Sequence, residues 1–190
     1  MIILVDIDNT ITNMNHIWLK YINNEYKTSY KYSDITHWGF FNELEAQGKD
    51  VFSFLHIPQF WKDITVYPNA VFALEHWAKR GHQVYLATAS DILSPSFHVK
   101  MEQTLEPFSP YLINQSNIIV TDQKELVNGD VLIDDKLETI DKWVKLGKKG
   151  FIPDQPWNRN YEAKPYCNQF TLFDGNDDLD NRWAAIVNLF

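Results

Sequence analysis

Short runs of consecutive apolar residues recur along the chain and predict strands that are buried on both faces. The first run, at residues 2–5, is rich in β-branched side chains and stands directly before an acidic residue. Such continuous runs are typical of parallel strands, because helices cover both faces of a parallel sheet. Similar runs predict further strands at residues 84–87, 118–120, 131–133, 151–152 and 170–172.

Segments with helical periodicity lie between several of these runs. In residues 69–80, Val71, Leu74 and Trp77 share one face, and Gly81 follows as a stop signal. The other predicted helices cover residues 15–26, 137–146 and 179–189. Strands that alternate with helices predict an α/β fold built on a doubly wound parallel sheet.

One segment departs from this pattern. Between residues 28 and 67 aromatic side chains are dense and strict periodicity is poor. We therefore predict a small helical insertion at residues 13–68, inserted into a core formed by residues 1–12 and 69–190.

Composition and charge narrow the possible partners and the location. The net charge of the 190 residues is −8, and an acidic protein repels the phosphate backbone of long nucleic acids. The single cysteine, Cys167, can form no disulfide within the chain, which favours a reducing compartment. No apolar run is long enough for a membrane span or a signal peptide, so we expect a cytoplasmic protein without membrane partners. Aromatic residues make up 15% of the chain, an excess that suits a pocket for a flat ligand or a homodimer interface.

Acidic pairs follow two of the predicted strands. Asp6 and Asp8 come after the first strand, and Asp134 and Asp135 come after the strand at residues 131–133. Closely spaced carboxylates at the end of a buried strand are costly unless they are paired or bind a cation. One carboxylate could attack a phosphoryl group while its neighbour transfers a proton. The alternatives are a capped turn at the first pair and a helix N-terminus that favours negative charge at the second.

A hydroxyl and a lysine follow two other strands. Thr88 stands at the end of the strand at residues 84–87, and Lys124 lies beyond the strand at residues 118–120. Ligands of doubly wound sheets bind beyond the carboxyl ends of the strands, so both residues are candidates for holding a phosphate. Ser90 is a nearby candidate for the same work. A helix cap and an ordinary surface lysine are the alternatives.

This order of residues resembles the haloacid dehalogenase superfamily, whose first motif is similar to Asp-x-Asp-x-Thr at residues 6–10. The resemblance implies a Rossmann-like core with Asp6 as a nucleophile that forms an aspartyl-phosphate. It implies Asp8 as the general acid and then the general base. It also implies that Thr88 and Lys124 bind the phosphate of the substrate.

The same resemblance implies a Mg²⁺ cofactor. The ligands would be the carboxylates of Asp6 and Asp134 and the backbone carbonyl of Asp8, with Asp135 supporting the metal site. The insertion at residues 13–68 lies where this superfamily places a small helical cap that selects the substrate.

Three local segments resemble the 5'(3')-deoxyribonucleotidase family. They are the pair Phe60-Trp61 ahead of residues 66–70, Leu-Ile-Asp-Asp-Lys at residues 132–136, and Asp-Gln-Pro-Trp-Asn at residues 154–158. This resemblance implies a phosphatase for nucleoside monophosphates, with a family preference for pyrimidine deoxyribonucleotides.

The chain also departs from the family pattern. Asn9 replaces a more usual small or acidic residue, and Ala89 stands where relatives often carry serine, which removes one expected phosphate contact.

A flat base could stack on the aromatic residues of the insertion. The candidates are Phe40, Phe41, Phe60 and Trp61, with packing inside the insertion as the alternative role. Two other functions stay open, namely a phosphatase of the same superfamily for another small phosphomonoester and a non-catalytic ligand-binding protein on the same scaffold. The presence of both acids of the first pair favours an enzyme.

Overall fold

The computed structural model describes residues 1–159, 167–170 and 179–190. The strands within these residues are β1 (Ile2–Asp6), β2 (Gln83–Thr88), β3 (Ile118–Val120), β4 (Val131–Ile133), β5 (Lys149–Pro153) and β6 (Cys167–Phe170). They form one sheet in the order β3-β2-β1-β4-β5-β6, and every neighbouring pair is parallel. The predicted α/β fold with a parallel sheet is confirmed. Residues 171–172 of the last predicted strand lie outside the described residues.

The helices of the described residues are α1 (Met14–Tyr26), α2 (Phe40–Ala46), α3 (Pro58–Lys62), α4 (Pro68–Lys79), α5 (Phe97–Leu105), α6 (Leu137–Lys145) and α7 (Leu179–Ile186). Short 3-10 turns cover Tyr32–Asp34, Phe52–His56, Gln115–Asn117, Lys124–Leu126 and Val187–Leu189. The predicted helices agree with α1, α4, α6 and α7 to within a few residues. None of the described helices combines the length and apolar character that a membrane crossing requires.

Helix α5 was not predicted from the sequence. Its fully buried positions carry Lys100 and Thr104, and its apolar residues Met101 and Leu105 are only partly buried against the core, so the hydrophobic pattern of the segment is weak. The buried lysine therefore interrupts the hydrophobic periodicity from which the other helices were predicted.

The two faces of the sheet carry separate hydrophobic clusters, because alternate residues of a strand point to opposite sides. Ile3 and Val5 of β1 pack with Trp77 of α4 and Trp183 of α7. Leu4 packs on the other face with residues of α6. The indole N–H groups of these tryptophans donate to backbone carbonyls, and Trp183 thereby reaches the carbonyl of Thr10 at 2.9 Å.

The two ends of the insertion lie side by side where the chain leaves the core and returns to it. Thr12 and Val66 form an antiparallel bridge, and the backbone N–H of Tyr67 donates to the carbonyl of Ile11 at 2.9 Å. The side chain of Asn13 accepts a hydrogen bond from the backbone of Thr65 at 2.8 Å. We call residues 13–68 the cap, with boundaries that rest on the sequence prediction.

The cap is organised around its own hydrophobic cluster. Trp18 stacks on Phe41 with 3.9 Å between ring centroids, and Tyr21 and Phe60 meet edge to face. Trp157, from the segment after β5, belongs to the same cluster. A core residue therefore completes the packing of the cap and holds it against the edge of the sheet where the strands end.

Candidate active site

The register of the strands brings the predicted residues to one edge of the sheet. Asp6 ends β1 and is paired with Ala87 of β2, while Val5 is paired with Ile133 of β4. Thr88 ends β2, so it lies at the same edge as Asp6. The acidic pair at residues 134–135 follows β4 directly, and the 3-10 turn after β3 begins at Lys124. These are the residues for which the sequence predicted a common site.

A buried lysine joins the two acidic segments. The Nζ atom of Lys124 donates to Oδ1 of Asp6 and, at 2.7 Å, to Oδ2 of Asp134. All three side chains are nearly inaccessible to solvent. The other oxygen of Asp134 accepts from the backbone N–H of Lys136 at 2.8 Å, which fixes the orientation of the carboxylate.

The electrostatics of this group reflect crowded negative charge. Burial raises the pKa of Asp6 to about 7 despite the Lys124 ammonium, and Asp134 and Asp8 add to the increase. Burial also raises the pKa of Asp135 well above its ordinary value, with further contributions from Asp6 and Asp134. Burial alone would lower the pKa of Lys124, but its carboxylate partners raise it above the ordinary value. The ammonium group of Lys124 therefore does not fully neutralise the negative charge of these carboxylates.

Asp6, Asp134 and Asp135 could together hold a metal ion. One carboxylate oxygen from each lies within 4.8 Å of the others, and all three residues are buried. The Oδ2 atom of Asp135 is buried without a hydrogen-bond partner in the structure. An all-oxygen donor set of this kind fits a hard divalent cation. The donor atoms of the acidic cluster therefore fit a divalent metal ion.

Asp8 is bound by a lysine that the sequence analysis did not identify. Lys100 of α5 is buried, and its Nζ atom donates to Oδ2 of Asp8. The same nitrogen donates to Oγ1 of Thr88 at 3.0 Å and to Oγ of Ser90 at 2.8 Å. The predicted phosphate-binding hydroxyl and the predicted acid are therefore linked through one ammonium group.

Ser90 supplies a hydroxyl next to Ala89, the position at which the chain departs from the family pattern. Ala89 is exposed and lines the cavity beside Asp8. Ser90, the next residue, brings its Oγ atom to 3.2 Å from Oγ1 of Thr88. Ser90 thus places a hydroxyl next to Thr88.

The departure at Asn9 also has a structural reason. Asn9 has a φ angle of 59°, a left-handed conformation in which asparagine is among the better tolerated residues after glycine. Its Oδ1 atom accepts the backbone N–H of Asn15 at 2.7 Å, near the start of α1. Asn9 therefore turns the chain after Asp8 and ties that turn to the cap.

A cavity of about 310 Å³ opens over the acidic cluster. Asp6, Asp8, Asp134 and Asp135 are among its lining residues. The aromatic residues along its walls are Trp18, Trp38, Phe41, Phe52 and Trp157. A flat ligand with an anionic group would find aromatic surface and the carboxylate end of the sheet within one space.

The predicted aromatic residues occupy different places. Phe41 lines this cavity, whereas Phe40 packs edge-on against Tyr30 and Phe60 is fully buried. Trp61 lines a second cavity of about 200 Å³, which shares Asp8 with the first. The alternative role of packing therefore describes Phe60, and Phe41 is the predicted aromatic residue best placed to touch a ligand in the first cavity.

The comparisons with known proteins agree with this architecture. The chain superposes on a haloacid dehalogenase-like hydrolase from Burkholderia xenovorans with a TM-score of 0.59, covering 96% of this chain and 94% of that one at 16% identity. A similar hydrolase from Xanthomonas campestris gives a TM-score of 0.54 at 14% identity and covers 98% and 94% of the two chains. These likenesses show a haloacid dehalogenase-like fold with a Rossmann-like core.

The family follows from sequence similarity. Residues 1–169 match the model of the family described as 5' nucleotidase, deoxy (pyrimidine), cytosolic type C protein. The chain is 28% identical over 180 residues to the 5'(3')-deoxyribonucleotidase of Clostridium acetobutylicum, covering 89% of this chain and 96% of that protein. It is 25% identical over 161 residues to the Bacillus subtilis 5'(3')-deoxyribonucleotidase, covering 84% and 88%. The chain belongs to this nucleotidase family and is a phosphoric monoester hydrolase.

Proposed function

We propose that this protein is a Mg²⁺-dependent phosphatase that hydrolyses nucleoside monophosphates, with deoxyribonucleotides as its preferred substrates. The observation that carries the proposal is the cavity that joins an aromatic wall to the ends of Asp6 and Asp8. The named relatives from Clostridium acetobutylicum and Bacillus subtilis support the choice of substrate. Phosphoryl transfer depends mainly on positioning and on neutralising charge, and both means are available among the residues of this site.

The reaction would proceed in two displacements. In the first, a carboxylate oxygen of Asp6 attacks the phosphorus atom, the bond from phosphorus to the nucleoside oxygen breaks, and Asp8 gives that oxygen a proton. In the second, a water molecule attacks the phosphorus atom of the aspartyl-phosphate, the bond from phosphorus to the Asp6 oxygen breaks, and the water gives its proton to Asp8. Inorganic phosphate leaves, and both side chains return to their starting states.

Thr88 and Lys124 would hold the phosphoryl group during both steps. Lys124 contacts Asp6 directly, so its positive charge lies beside the atom that attacks. The hydroxyl of Thr88 lies at the end of β2, next to the strand that ends in Asp6. Together these residues provide one cation and one neutral hydrogen-bond donor for the charge that spreads over the phosphoryl oxygens.

The proposed ligands of Mg²⁺ are the carboxylates of Asp6 and Asp134 and the backbone carbonyl of Asp8, with Asp135 supporting the site. Within the described part of the chain, the ammonium group of Lys100 pairs with Asp8, and that of Lys124 pairs with Asp6 and Asp134, while Asp135 lies beside Asp6 and Asp134. One divalent cation would balance the charge that these lysines leave uncompensated. Bound Mg²⁺ would supply positive charge that stabilises the phosphoryl oxygens.

The nucleoside would occupy the cavity under the cap. Phe41 and Trp18 stack on each other and both line the cavity, so they would offer an aromatic surface for a base. Phe40, Phe60 and Trp61 would support this surface from within the cap. The cap at residues 13–68 would thus select the substrate, while the core at residues 1–12 and 69–190 carries the reacting groups. Such an activity suits the cytoplasm, where nucleoside monophosphates are available.

The test is phosphate release from ribo- and deoxyribonucleoside monophosphates and from sugar phosphates, measured with Mg²⁺ and with EDTA. We expect Mg²⁺-dependent release that favours deoxyribonucleotides and is lost in Asp6→Asn. Release from sugar phosphates alone would keep the mechanism and reject the nucleotide substrate. An absence of release from every compound would favour a ligand-binding protein.

A further inference from the structure

Lys100 lies on a helix and does not follow a strand, and this position does not explain why its side chain is buried. Its side chain is 4% exposed, although lysine is rarely buried without a specific partner. It lies on α5, and the nearest charged group that it contacts is Asp8. The burial of this ammonium group requires a use for each of its hydrogens.

The hydrogen bonds of Lys100 account for all of its donors. An ammonium group carries three N–H bonds. The acceptors are Oδ2 of Asp8, Oγ1 of Thr88 at 3.0 Å and Oγ of Ser90 at 2.8 Å. Since an ammonium group can only donate, both hydroxyl oxygens must act as acceptors toward Lys100.

This pattern decides where the hydroxyl hydrogens of Thr88 and Ser90 can point. Each oxygen uses a lone pair on Lys100, so each hydroxyl hydrogen is directed away from the ammonium group. In the structure the remaining neighbours of the Thr88 hydroxyl are Oδ2 of Asp8 at 3.4 Å and the Ser90 hydroxyl at 3.2 Å. A phosphoryl oxygen is a stronger acceptor than a hydroxyl.

We propose that Lys100 is a positioning residue that presents the hydroxyls of Thr88 and Ser90 as hydrogen-bond donors to the transferring phosphoryl group. The inference rests on the proposed function, because it requires a phosphoryl group beside Asp6. It gives Ser90 the phosphate contact that Ala89 cannot make. It also makes α5, together with the strand ends, part of the phosphate site.

The cap holds Lys100 in this position. The Nζ atom of Lys100 lies 4.7 Å from the centroid of the Trp61 ring, a favourable placement of a cation over an aromatic face. The indole N–H of Trp61 donates to the carbonyl of Leu55 at 2.8 Å, which fixes the ring within the cap. On this proposal Trp61 supports the phosphate site, and base stacking is left to other residues.

A different role for Lys100 would act through Asp8 alone, by changing proton transfer to the leaving group. The two roles differ in their dependence on the substrate. A phosphoryl-holding network serves every phosphomonoester equally, whereas proton transfer matters little when the leaving group is already a stable anion such as p-nitrophenolate.

The experiment is a double-mutant cycle of Lys100→Met and Thr88→Val, measured with a deoxyribonucleoside monophosphate and with p-nitrophenyl phosphate. Lys145→Met, at an exposed position of α6, is the matched control. We expect Lys100→Met to lower kcat/KM by about 100-fold for both substrates, as loss of a preorganised donor does elsewhere. Inhibition by inorganic phosphate should weaken in parallel. Thr88→Val should cost much less in the Lys100→Met background than in the wild-type protein.

Two results would overturn the proposal. One is that the two substitutions act independently, so that their effects on kcat/KM multiply in the double variant. The other is a loss with the nucleotide that is much larger than the loss with p-nitrophenyl phosphate. If Lys100→Met does not fold, Ser90→Ala and Lys100→Arg replace it. Ser90→Ala should then weaken phosphate inhibition, and Lys100→Arg should retain more activity than any neutral substitution that folds.

Failure of the proposed function would be visible separately. A wild-type protein that hydrolyses only p-nitrophenyl phosphate rejects the nucleotide substrate, but the cycle can still be measured. With no turnover at all, calorimetric binding of inorganic phosphate in the presence of Mg²⁺ replaces kcat/KM. Equal phosphate affinity in the wild type and in Lys100→Met would then reject the role of Lys100.

Discussion

The hydroxyl of Tyr32 in the cap donates a hydrogen bond to Oε1 of Gln155 in the core, with 2.6 Å between the two oxygen atoms. Gln155 is completely buried, and its Nε2 atom donates to the backbone carbonyl of Asn9 at 2.7 Å. Asn9 follows Asp8 directly in the chain. One glutamine side chain therefore connects the cap to the turn that carries the proposed general acid.

The same segment also reaches the second acidic pair. The side chain of Asn158 donates to the carbonyls of Asp135 and Pro153, both at 3.0 Å, and accepts from the backbone N–H of Gln155. Trp157, which lies between Gln155 and Asn158 in the chain, packs into the hydrophobic cluster of the cap. The Gln-Pro-Trp-Asn segment thus has a physical role, because it holds the cap and both acidic turns in one arrangement.

Tyr32→Phe should test this connection while leaving the ring of residue 32 in place. The substitution keeps the stacking of that ring on His16 and its edge contact with Trp157. It removes the donor to a buried amide oxygen, which costs about 1–3 kcal/mol of the free energy of unfolding. We expect urea unfolding to show this loss and kcat to fall with it. Tyr111→Phe, at an exposed tyrosine, is the control, and wild-type stability in Tyr32→Phe would contradict the role of the hydrogen bond.

The raised pKa of Asp6 predicts how the stability of the metal-free protein depends on pH. The carboxyl group has a pKa of about 7 in the folded protein against an ordinary value of 3.8, so the folded state binds its proton more tightly. The contribution of Asp6 to stability is therefore full at low pH and is lost as the pH rises through about 7. In EDTA we expect Asp6→Asn to melt at a higher temperature than the wild type at pH 8, and to depend less on pH.

Thermal melting at pH 5 and pH 8 measures this effect. Asp122→Asn, at an exposed position after β3, should keep the slope of the wild type. A slope in Asp6→Asn as steep as that of the wild type would show that other groups dominate the titration.

Phe41 and Phe60 should separate ligand contact from packing. Phe41 lines the cavity, whereas Phe60 is fully buried within the cap. We expect Phe41→Leu to raise KM for nucleotides more than KM for glycerol phosphate, because only the nucleotides present a planar ring to stack. Phe60→Ala should instead lower the free energy of unfolding by about 3–5 kcal/mol. Steady-state kinetics with both substrates and urea unfolding measure the two effects, and equal changes of KM in Phe41→Leu would contradict base contact.

The sequence predicted most of the sheet and the residues at its edge, because buried parallel strands leave a clear apolar signal and acids after them stand out. Lys100 and α5 were not predicted, since the fully buried positions of this helix carry a lysine and a threonine, which weaken its hydrophobic pattern. The aromatic walls of the cavity could not be predicted from the sequence for another reason. Composition revealed an excess of aromatic residues, but the direction in which Trp18 or Phe60 points depends on packing between segments far apart in the chain.

Metal binding should compete with protons at the acidic cluster. Asp6 and Asp135 both have raised pKa values, so protons occupy them more readily at pH 5 than at pH 8. Mg²⁺ at about 100 times its dissociation constant stabilises a protein by about 2.7 kcal/mol, which corresponds to an increase in Tm of about 5–11 °C for a chain of this size. We expect an increase of this order at pH 8 and a much smaller one at pH 5.

Asp135→Asn should reduce the increase in Tm at pH 8, because it changes a carboxylate whose buried Oδ2 atom has no hydrogen-bond partner in the structure. The exposed Asp122→Asn variant should show the full increase. The same increase in Tm at both pH values, in the wild type and in Asp135→Asn, would mean that the cation binds elsewhere and that the cluster is held together by Lys124 alone. Loss of the increase only in the Asp135→Asn variant would place Mg²⁺ beside the carboxylate that we propose as the nucleophile.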